Sequence, residues 1–150
     1  MGAELPLVQA EGDVLMPKVE FSVDFVHGLQ RPRFRGHAYD TERNRADKMQ
    51  IALSYKAACK AAGREPEIPA GVPVSVTVTT YRALPKSRPK SIKSEPDVYK
   101  PDADNIAKLV LDALSGVAFY DDSHVVCLHV TKAPRVRRLG DETSICVMWD

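Results

Sequence analysis

The stretch KPDADNIAKLVLDALSGVAFYDDSHVVCLHVTK, residues 100–132, decides the fold of this chain. Its Asp-rich opening behind Pro101 predicts the start of a helix, because Pro and Asp are favoured in a first helical turn. The helix is expected to reach about Ser115, since Gly116 follows as a stop. Between Val125 and Lys132 every second residue is apolar, which predicts a strand. The stretch therefore forms a helix that turns back into a strand.

Three more strands and a second helix are predicted outside this stretch. Alternating residues from Val19 to Val26 and from Val72 to Tyr81 predict two strands, and Thr143 to Trp149 predicts another. A helix is expected from a cap at Asp40 or Thr41 to about Ala62. Its apolar positions are Ala46, Met49, Leu53 and Ala57. The order β-α-β-α-β-β predicts an α+β domain, with a single mixed sheet of about four strands and two helices covering one face.

The length of 150 residues predicts one domain, which we place at residues 18–150. Residues 1–17 contain scattered Gly, Pro and acidic residues and are expected to form a flexible arm. Leu84 to Lys100 is expected to be a long, basic and mobile loop, because its prolines interrupt regular structure. A basic hairpin is expected to join the last two strands. Its arginines are Arg135, Arg137 and Arg138.

The composition argues against several classes of protein. The formal net charge of +1 does not by itself indicate a partner. No apolar run approaches the ~18 residues that span a bilayer, and no secretory signal is recognisable, so we expect a cytoplasmic protein without a membrane partner. The three cysteines are widely spaced, which disfavours a disulfide scaffold or a zinc ribbon. Without a glycine-rich phosphate loop, no nucleotide cofactor is expected.

Acidic and basic residues are segregated along the chain. Arg82 to Lys93 has five basic residues and no acidic one, whereas six aspartates follow before His124. The aspartates are Asp97, Asp102, Asp104, Asp112, Asp121 and Asp122. This pattern suits a phosphodiesterase, because cations bind the nucleic-acid backbone and carboxylates bind Mg²⁺.

Helical spacing predicts that part of this acidic set converges. Asp104, Lys108 and Asp112 are four residues apart and share one helix face. Asp102, at or before the cap, can turn its carboxylate toward the same point, and the turn after the helix can return the pair Asp121-Asp122 to it. Two or three carboxylates would then hold Mg²⁺, while Lys108 would neutralise charge in the transition state.

Plainer interpretations of the same residues remain open. An Asp at a helix start is a preferred cap, and the i,i+4 spacing can be a surface charge ladder. The pair Asp121-Asp122 can be a simple turn before a strand. The joint occurrence of these signals with Asn105, Lys108 and the basic loop favours the functional interpretation.

Three blocks within this stretch resemble the RusA family of Holliday-junction resolvases. The blocks are KPDADNIAK at residues 100–108, LDAL at 111–114 and DDSHVV at 121–126. In that family a K/R-x-D-x-D-N-x-x-K segment opens a helix that ends in D-A-L, and an acidic pair precedes a strand. The resemblance is specific over Lys100 to Lys132 and looser over the rest of the chain.

The resemblance implies a homodimeric, Mg²⁺-dependent endonuclease, with Mn²⁺ as a substitute, that resolves four-way DNA junctions in recombination and repair. Paired symmetric cuts would leave 5′-phosphate and 3′-hydroxyl ends, and such proteins are often encoded by phages and prophages. Carried over by position, the metal-binding and catalytic carboxylates are Asp102, Asp104 and Asp122, and Asp121 is a further candidate ligand. Lys108 is the basic catalytic residue.

Clusters of basic residues are the candidate DNA-binding groups, since a single charge is more often merely solvated. They are Arg31, Arg33, Arg35, Lys86, Arg88, Lys90, Lys93 and Lys100. Two other functions stay open. One is a structure-selective protein that binds branched DNA without cutting it efficiently, and the other is a broader nuclease that cuts flaps or forks.

Overall fold

The computed structural model describes residues 16–150. Its elements in chain order are β1 (Lys18–Val23), β2 (Arg33–Phe34), β3 (Ala38–Tyr39), α1 (Glu42–Ala61), β4 (Val74–Tyr81), β5 (Ser94–Glu95), α2 (Ala103–Leu114), a short 3-10 helix (Asp122–His124), β6 (Val125–Lys132), β7 (Arg135–Val136) and β8 (Glu142–Trp149). The predicted order of two long helices and four main strands is confirmed. The predicted arm at residues 1–17 lies outside the described residues, apart from its last two.

The four long strands form one mixed sheet in the order β1-β8-β4-β6. Strand β8 is antiparallel to both β1 and β4, whereas β4 is parallel to β6. The connection from β4 to β6 passes through α2, as a parallel pair requires. The α+β class and the mixed four-stranded sheet are therefore confirmed.

Both helices cover the same face of the sheet, where the core lies. Val74, Val76 and Val78 alternate along β4 and are completely buried, as their spacing predicts. From the helices, Ile51 and Leu109 are about equally inaccessible and join the same cluster. No helix within residues 16–150 is long and apolar enough to cross a membrane.

Helix α1 has the predicted bounds but buries a different face. Thr41 is its N-cap, and the Thr41 hydroxyl accepts a hydrogen bond from the Asn44 N–H at 3.1 Å. Met49 and Leu53, two of the apolar positions of this helix, are 64% and 55% exposed. The buried positions are Asn44, Asp47, Ile51, Tyr55 and Cys59. Two polar residues with partners inside the fold therefore belong to the buried stripe, which the apolar positions alone do not indicate.

The segment from Leu84 to Lys100 is held in place by its own contacts. It contains β5, which pairs with β7, so the expectation of no regular structure was wrong here. The Arg88 Nε lies 2.9 Å from a Glu95 carboxylate oxygen. The Arg137 guanidinium donates to several backbone carbonyls of the segment, the nearest being that of Pro89 at 2.9 Å. These contacts argue against the predicted mobility.

Two charged residues of the acidic and basic sets are structural. The Asp97 side chain has no exposed surface and pairs with Arg82 at 3.3 Å. Arg135 is 6% exposed and stacks on the Tyr99 ring at 4.5 Å.

Strands β6 and β8 are not neighbours, because β4 lies between them, so the predicted hairpin connection was also wrong.

Candidate active site at the start of helix α2

Asp102 is placed at the start of α2 with its carboxylate available. It occupies the N-cap position in an extended conformation (φ −70°, ψ 150°), but its side chain makes no capping hydrogen bond. The carboxylate is 49% exposed, and the Lys100 Nζ lies 3.2 Å from it. The capping interpretation therefore does not explain this aspartate.

Asp104 and Lys108 are exposed on the next turns of α2. Together with Leu128 and Val130 of β6 they line a shallow cavity of about 410 Å³. An acidic and a basic side chain thus stand beside an apolar strip of β6. Asp112 lies two turns beyond Asp104 and is also exposed.

The segment before β2 packs closely against the start of α2. The Leu29 N–H donates to the Asn105 carbonyl at 3.0 Å. A Cβ atom on Gly28 would lie only 2.9 Å from the Asn105 Cβ and 3.0 Å from the Pro101 Cβ. Only glycine allows this approach, which holds the segment beside Asp102.

The substitution Gly28→Ala is expected to displace the start of α2, which carries Asp102. The added methyl group has no space without a shift of the α2 start, and overpacking of this kind costs about 1–3 kcal/mol. Thermal denaturation should show a lower midpoint, and any DNA cleavage should fall more than DNA binding. Gly140→Ala is the control, since a Cβ atom at Gly140 would have no neighbour within 4 Å. Equal stability of the two variants would contradict the packing argument.

A second cavity, of about 300 Å³, lies between this segment and α2. Its polar lining includes His27, Arg43, Lys100, Asp102 and Asn105. The His27 Nδ1 lies 2.8 Å from a carboxylate oxygen of Asp47, whose side chain is only 8% exposed. Asp102 is therefore the candidate ligand that faces this cavity, and Asp104 faces the cavity on the β6 side.

Asp121 and Asp122 lie at the other end of β6. Asp121 caps the short 3-10 helix and accepts a hydrogen bond from the Ser123 N–H at 3.4 Å. Hydrogen bonding to Ser123 lowers the pKa of Asp121 below its usual range, so this carboxylate is ionised at neutral pH. Asp122 is the first residue of the 3-10 helix and is exposed.

The two acidic groups do not meet within one chain. Asp104 lines a cavity together with Leu128 and Val130, in the second half of β6, whereas Asp122 precedes the first residue of that strand, Val125. At about 3.3 Å per residue, Val125 and Val130 are roughly 16 Å apart. No three acidic, histidine or cysteine side chains within residues 16–150 are close enough to hold a metal ion together. The expectation that the turn returns Asp122 to the helix start was wrong.

The candidate DNA-binding residues fall into two groups. The first group is exposed on the β2–β3 hairpin and the residue just before its proline: Arg31 precedes β2, Arg33 begins it and Arg35 lies in the turn. In the second group Lys86, Lys90, Lys93 and Lys100 are exposed, whereas Arg88 is paired with Glu95.

The residues that hold the segment before the hairpin were not predicted from the sequence. The Asn44 side chain is fully buried, and its amide group donates to the Gln30 carbonyl at 2.9 Å while accepting from the Gln30 N–H. Arg43 donates to the Gly28 carbonyl at 3.1 Å. The available signal was the spacing of Asn44, Asp47 and Ile51 on one helix face.

Fold and surface together define a class: an α+β protein with exposed carboxylates between basic segments, an arrangement that suits enzymes acting on nucleic acids. The family model of Endodeoxyribonuclease RusA matches residues 26–145, and the chain belongs to this family. A relative from Bacillus subtilis (strain 168), the uncharacterized protein YqaN, is 36% identical over 120 residues, which cover 72% of this chain and 80% of YqaN. The predicted family is confirmed.

Membership gives the function in general terms. The RusA family comprises endodeoxyribonucleases, which implies Holliday-junction resolution and a branched DNA substrate. RusA nucleases generally depend on a divalent metal.

Proposed function

We propose that this protein is a Mg²⁺-dependent endonuclease that resolves four-way DNA junctions by paired symmetric cuts. Each cut would leave a 5′-phosphate and a 3′-hydroxyl, and the setting would be recombination and repair in the cytoplasm, encoded by a phage or prophage. The observation that supports the proposal most is the exposed carboxylate of Asp102 at the helix start, which makes no capping hydrogen bond and lies 3.2 Å from the Lys100 Nζ.

The donor chemistry at the start of α2 fits a hard cation. Asp102 and Asp104 are exposed, and neither carboxylate serves as a helix cap. Carboxylate oxygens with room for water are what Mg²⁺ prefers. A bound metal ion of this kind supplies charge stabilisation and an acidic water for phosphodiester hydrolysis. One chain provides two of the three proposed ligands here.

The third proposed ligand, Asp122, would come from a second copy of the chain. Strand β6 is an edge of the sheet, and its Val126 and Leu128 are 69% and 41% exposed, so its apolar side is not covered within the described chain. Two β6 edges related by a two-fold axis run antiparallel, which places the start of one beside the end of the other. Asp122 of the partner subunit then approaches Asp104. The homodimer would thus complete two identical sites.

Lys108 and Asp121 would assist the three proposed metal ligands. Lys108, one turn beyond Asp104, faces the same cavity and is placed to offset charge that develops on the scissile phosphate. Asp121 is ionised and adjacent to Asp122, which makes it a further candidate ligand. The domain that carries these groups would span residues 18–150.

Cleavage of an end-labelled mobile four-way junction, compared with a matched linear duplex, tests the proposal. With Mg²⁺ or Mn²⁺ we expect paired, symmetric cuts in the junction alone, and with Ca²⁺ we expect binding without cuts. Junction binding without cuts in Mg²⁺ would instead indicate a branched-DNA-binding protein. Cuts in flaps, forks or the duplex would indicate a broader nuclease.

Combined substitution of Lys86, Lys90 and Lys93 by Ala is expected to flatten the salt dependence of junction binding. Each lost phosphate contact lowers the slope of log affinity against log salt by about 0.9. Arg88 is left in place because its pairing with Glu95 supports the loop. The matched control replaces the exposed Lys18, Lys56 and Lys60. An unchanged slope in the first variant would remove the loop from the DNA interface.

A further inference from the structure

His27 is held by a buried carboxylate inside the cavity that Asp102 faces. A carboxylate can only accept a hydrogen bond, so the His27 Nδ1 must donate to Asp47 across their 2.8 Å contact. The ring also stacks on Phe25, with centroids 4.6 Å apart. These two contacts fix the orientation of the imidazole. Its Nε2 makes no hydrogen bond to the residues described.

Two cationic side chains and two carboxylates surround the ring. Arg43 and Lys100 line the same cavity as His27, and Asp102 is its acidic member. Lys100 contacts Asp102 at 3.2 Å, and Arg43 lies 3.7 Å from Asp47. With Nδ1–H donating to Asp47, Nε2 is the ring nitrogen left for a third group.

We propose that His27 donates its Nε2 hydrogen to a DNA phosphate bound in this cavity, next to the phosphate that is cut. Arg43 and Lys100 would add positive charge on either side, and Asn105 would offer its amide. This inference rests on the proposed function and names a contact that positions the DNA strand. His27 is 35% exposed at its side chain, so the ring is reachable from the cavity.

A purely structural role for His27 predicts a different result. In that case the ring only satisfies buried Asp47, and Asn can replace it, because the Asn amide nitrogen occupies the position of Nδ1. His27→Asn keeps this donor and lacks a group at Nε2. It therefore separates the two contacts of the ring.

The experiment measures binding of a four-way junction in Ca²⁺, together with thermal stability. His27→Asn should keep a melting temperature close to that of the wild type and bind the junction about tenfold more weakly, as loss of a charged hydrogen bond predicts. The control is Asp24→Asn, at an exposed position just after β1 and outside both cavities, which should bind as the wild type does. Wild-type affinity of a stable His27→Asn variant would overturn the inference.

Neutral methylphosphonate groups, placed one at a time near the branch point, identify the phosphate. One position should weaken wild-type binding about tenfold and have little effect on His27→Asn. Equal effects in both proteins at every position would contradict the contact. If His27→Asn does not fold, the nitrogen resonances of wild-type His27 decide, because Nε2 must shift when junction DNA is added. No shift would overturn the inference.

These readouts separate the inference from the proposed function. Junction binding with the His27 signature but no cleavage in Mg²⁺ would contradict the nuclease and keep the phosphate contact. Cleavage by the wild type, with unchanged binding by His27→Asn, would contradict the contact alone. Absence of any DNA binding would contradict both.

Discussion

A mixture of Asp104→Asn and Asp122→Asn proteins is expected to cleave four-way junctions, although each variant alone should be inactive. The reason is the separation of the two acidic groups by the length of β6. We assume that each site takes Asp102 and Asp104 from one subunit and Asp122 from its partner. In a mixed dimer, one site then contains both substitutions, whereas the other site contains neither and is intact. A site built within a single chain would leave every site damaged, and mixing would restore nothing.

The size and form of the restored activity can be stated in advance. Random exchange makes about half of all dimers mixed, and each mixed dimer has one working site of two, so about a quarter of wild-type sites are restored. Because an intact site has no working partner, the products should be single nicks instead of paired cuts. Denaturing and native gels of the same end-labelled junction distinguish these products.

The matched control mixes Asp102→Asn with Asp104→Asn. Both aspartates lie at the same end of α2, so every site of a mixed dimer carries one substitution and no activity should return. Subunit exchange is checked by mass spectrometry with one isotopically labelled partner. Mixed dimers of Asp104→Asn and Asp122→Asn that stay inactive would contradict the shared site, and so would activity in the control mixture.

Local patterns were sufficient to predict most elements of the fold. The alternation along β4, the existence of β6 and the Thr41 and Gly116 boundaries depend on neighbours in sequence, and they appear as expected. The three blocks of the α2–β6 stretch also identified the family. Each of these features is determined by residues that lie within about one helical turn or one strand of it.

The arrangement of the site depends on long-range packing that sequence spacing does not contain. Asp122 is close to Asp104 in sequence. However, α2 is the crossover between the parallel strands β4 and β6, so Asp104 lies beside the second half of β6 while Asp122 lies before its first residue. His27 and Asp47 are 20 residues apart and meet only because the segment around Gly28 packs on α2. The buried stripe of α1 was missed for the same reason, since Asp47 looks like a surface residue until its partner is known.

Substitution Asp102→Asn is expected to abolish cleavage while preserving the fold and the binding of junctions. Asn is as good an N-cap residue as Asp, and the Asp102 side chain makes no capping bond, so the melting temperature should change little. Loss of one metal-binding carboxylate should lower the single-turnover rate on the order of 10³-fold. Removal of a negative charge beside Lys100 should leave junction affinity unchanged or higher.

The control for Asp102→Asn is the same chemical change at Asp24, which is exposed just after β1 and outside both cavities of the candidate site. Asp24→Asn should cleave at the wild-type rate. A rate series in Mg²⁺ adds a second criterion, because a weakened metal site should need more Mg²⁺ to reach its maximal rate. If Asp102→Asn cleaves like the wild type at every Mg²⁺ concentration, this carboxylate has no part in the chemistry. Because Asp102 is the only proposed ligand that faces the His27 cavity, the phosphate bound there would then lie away from the metal.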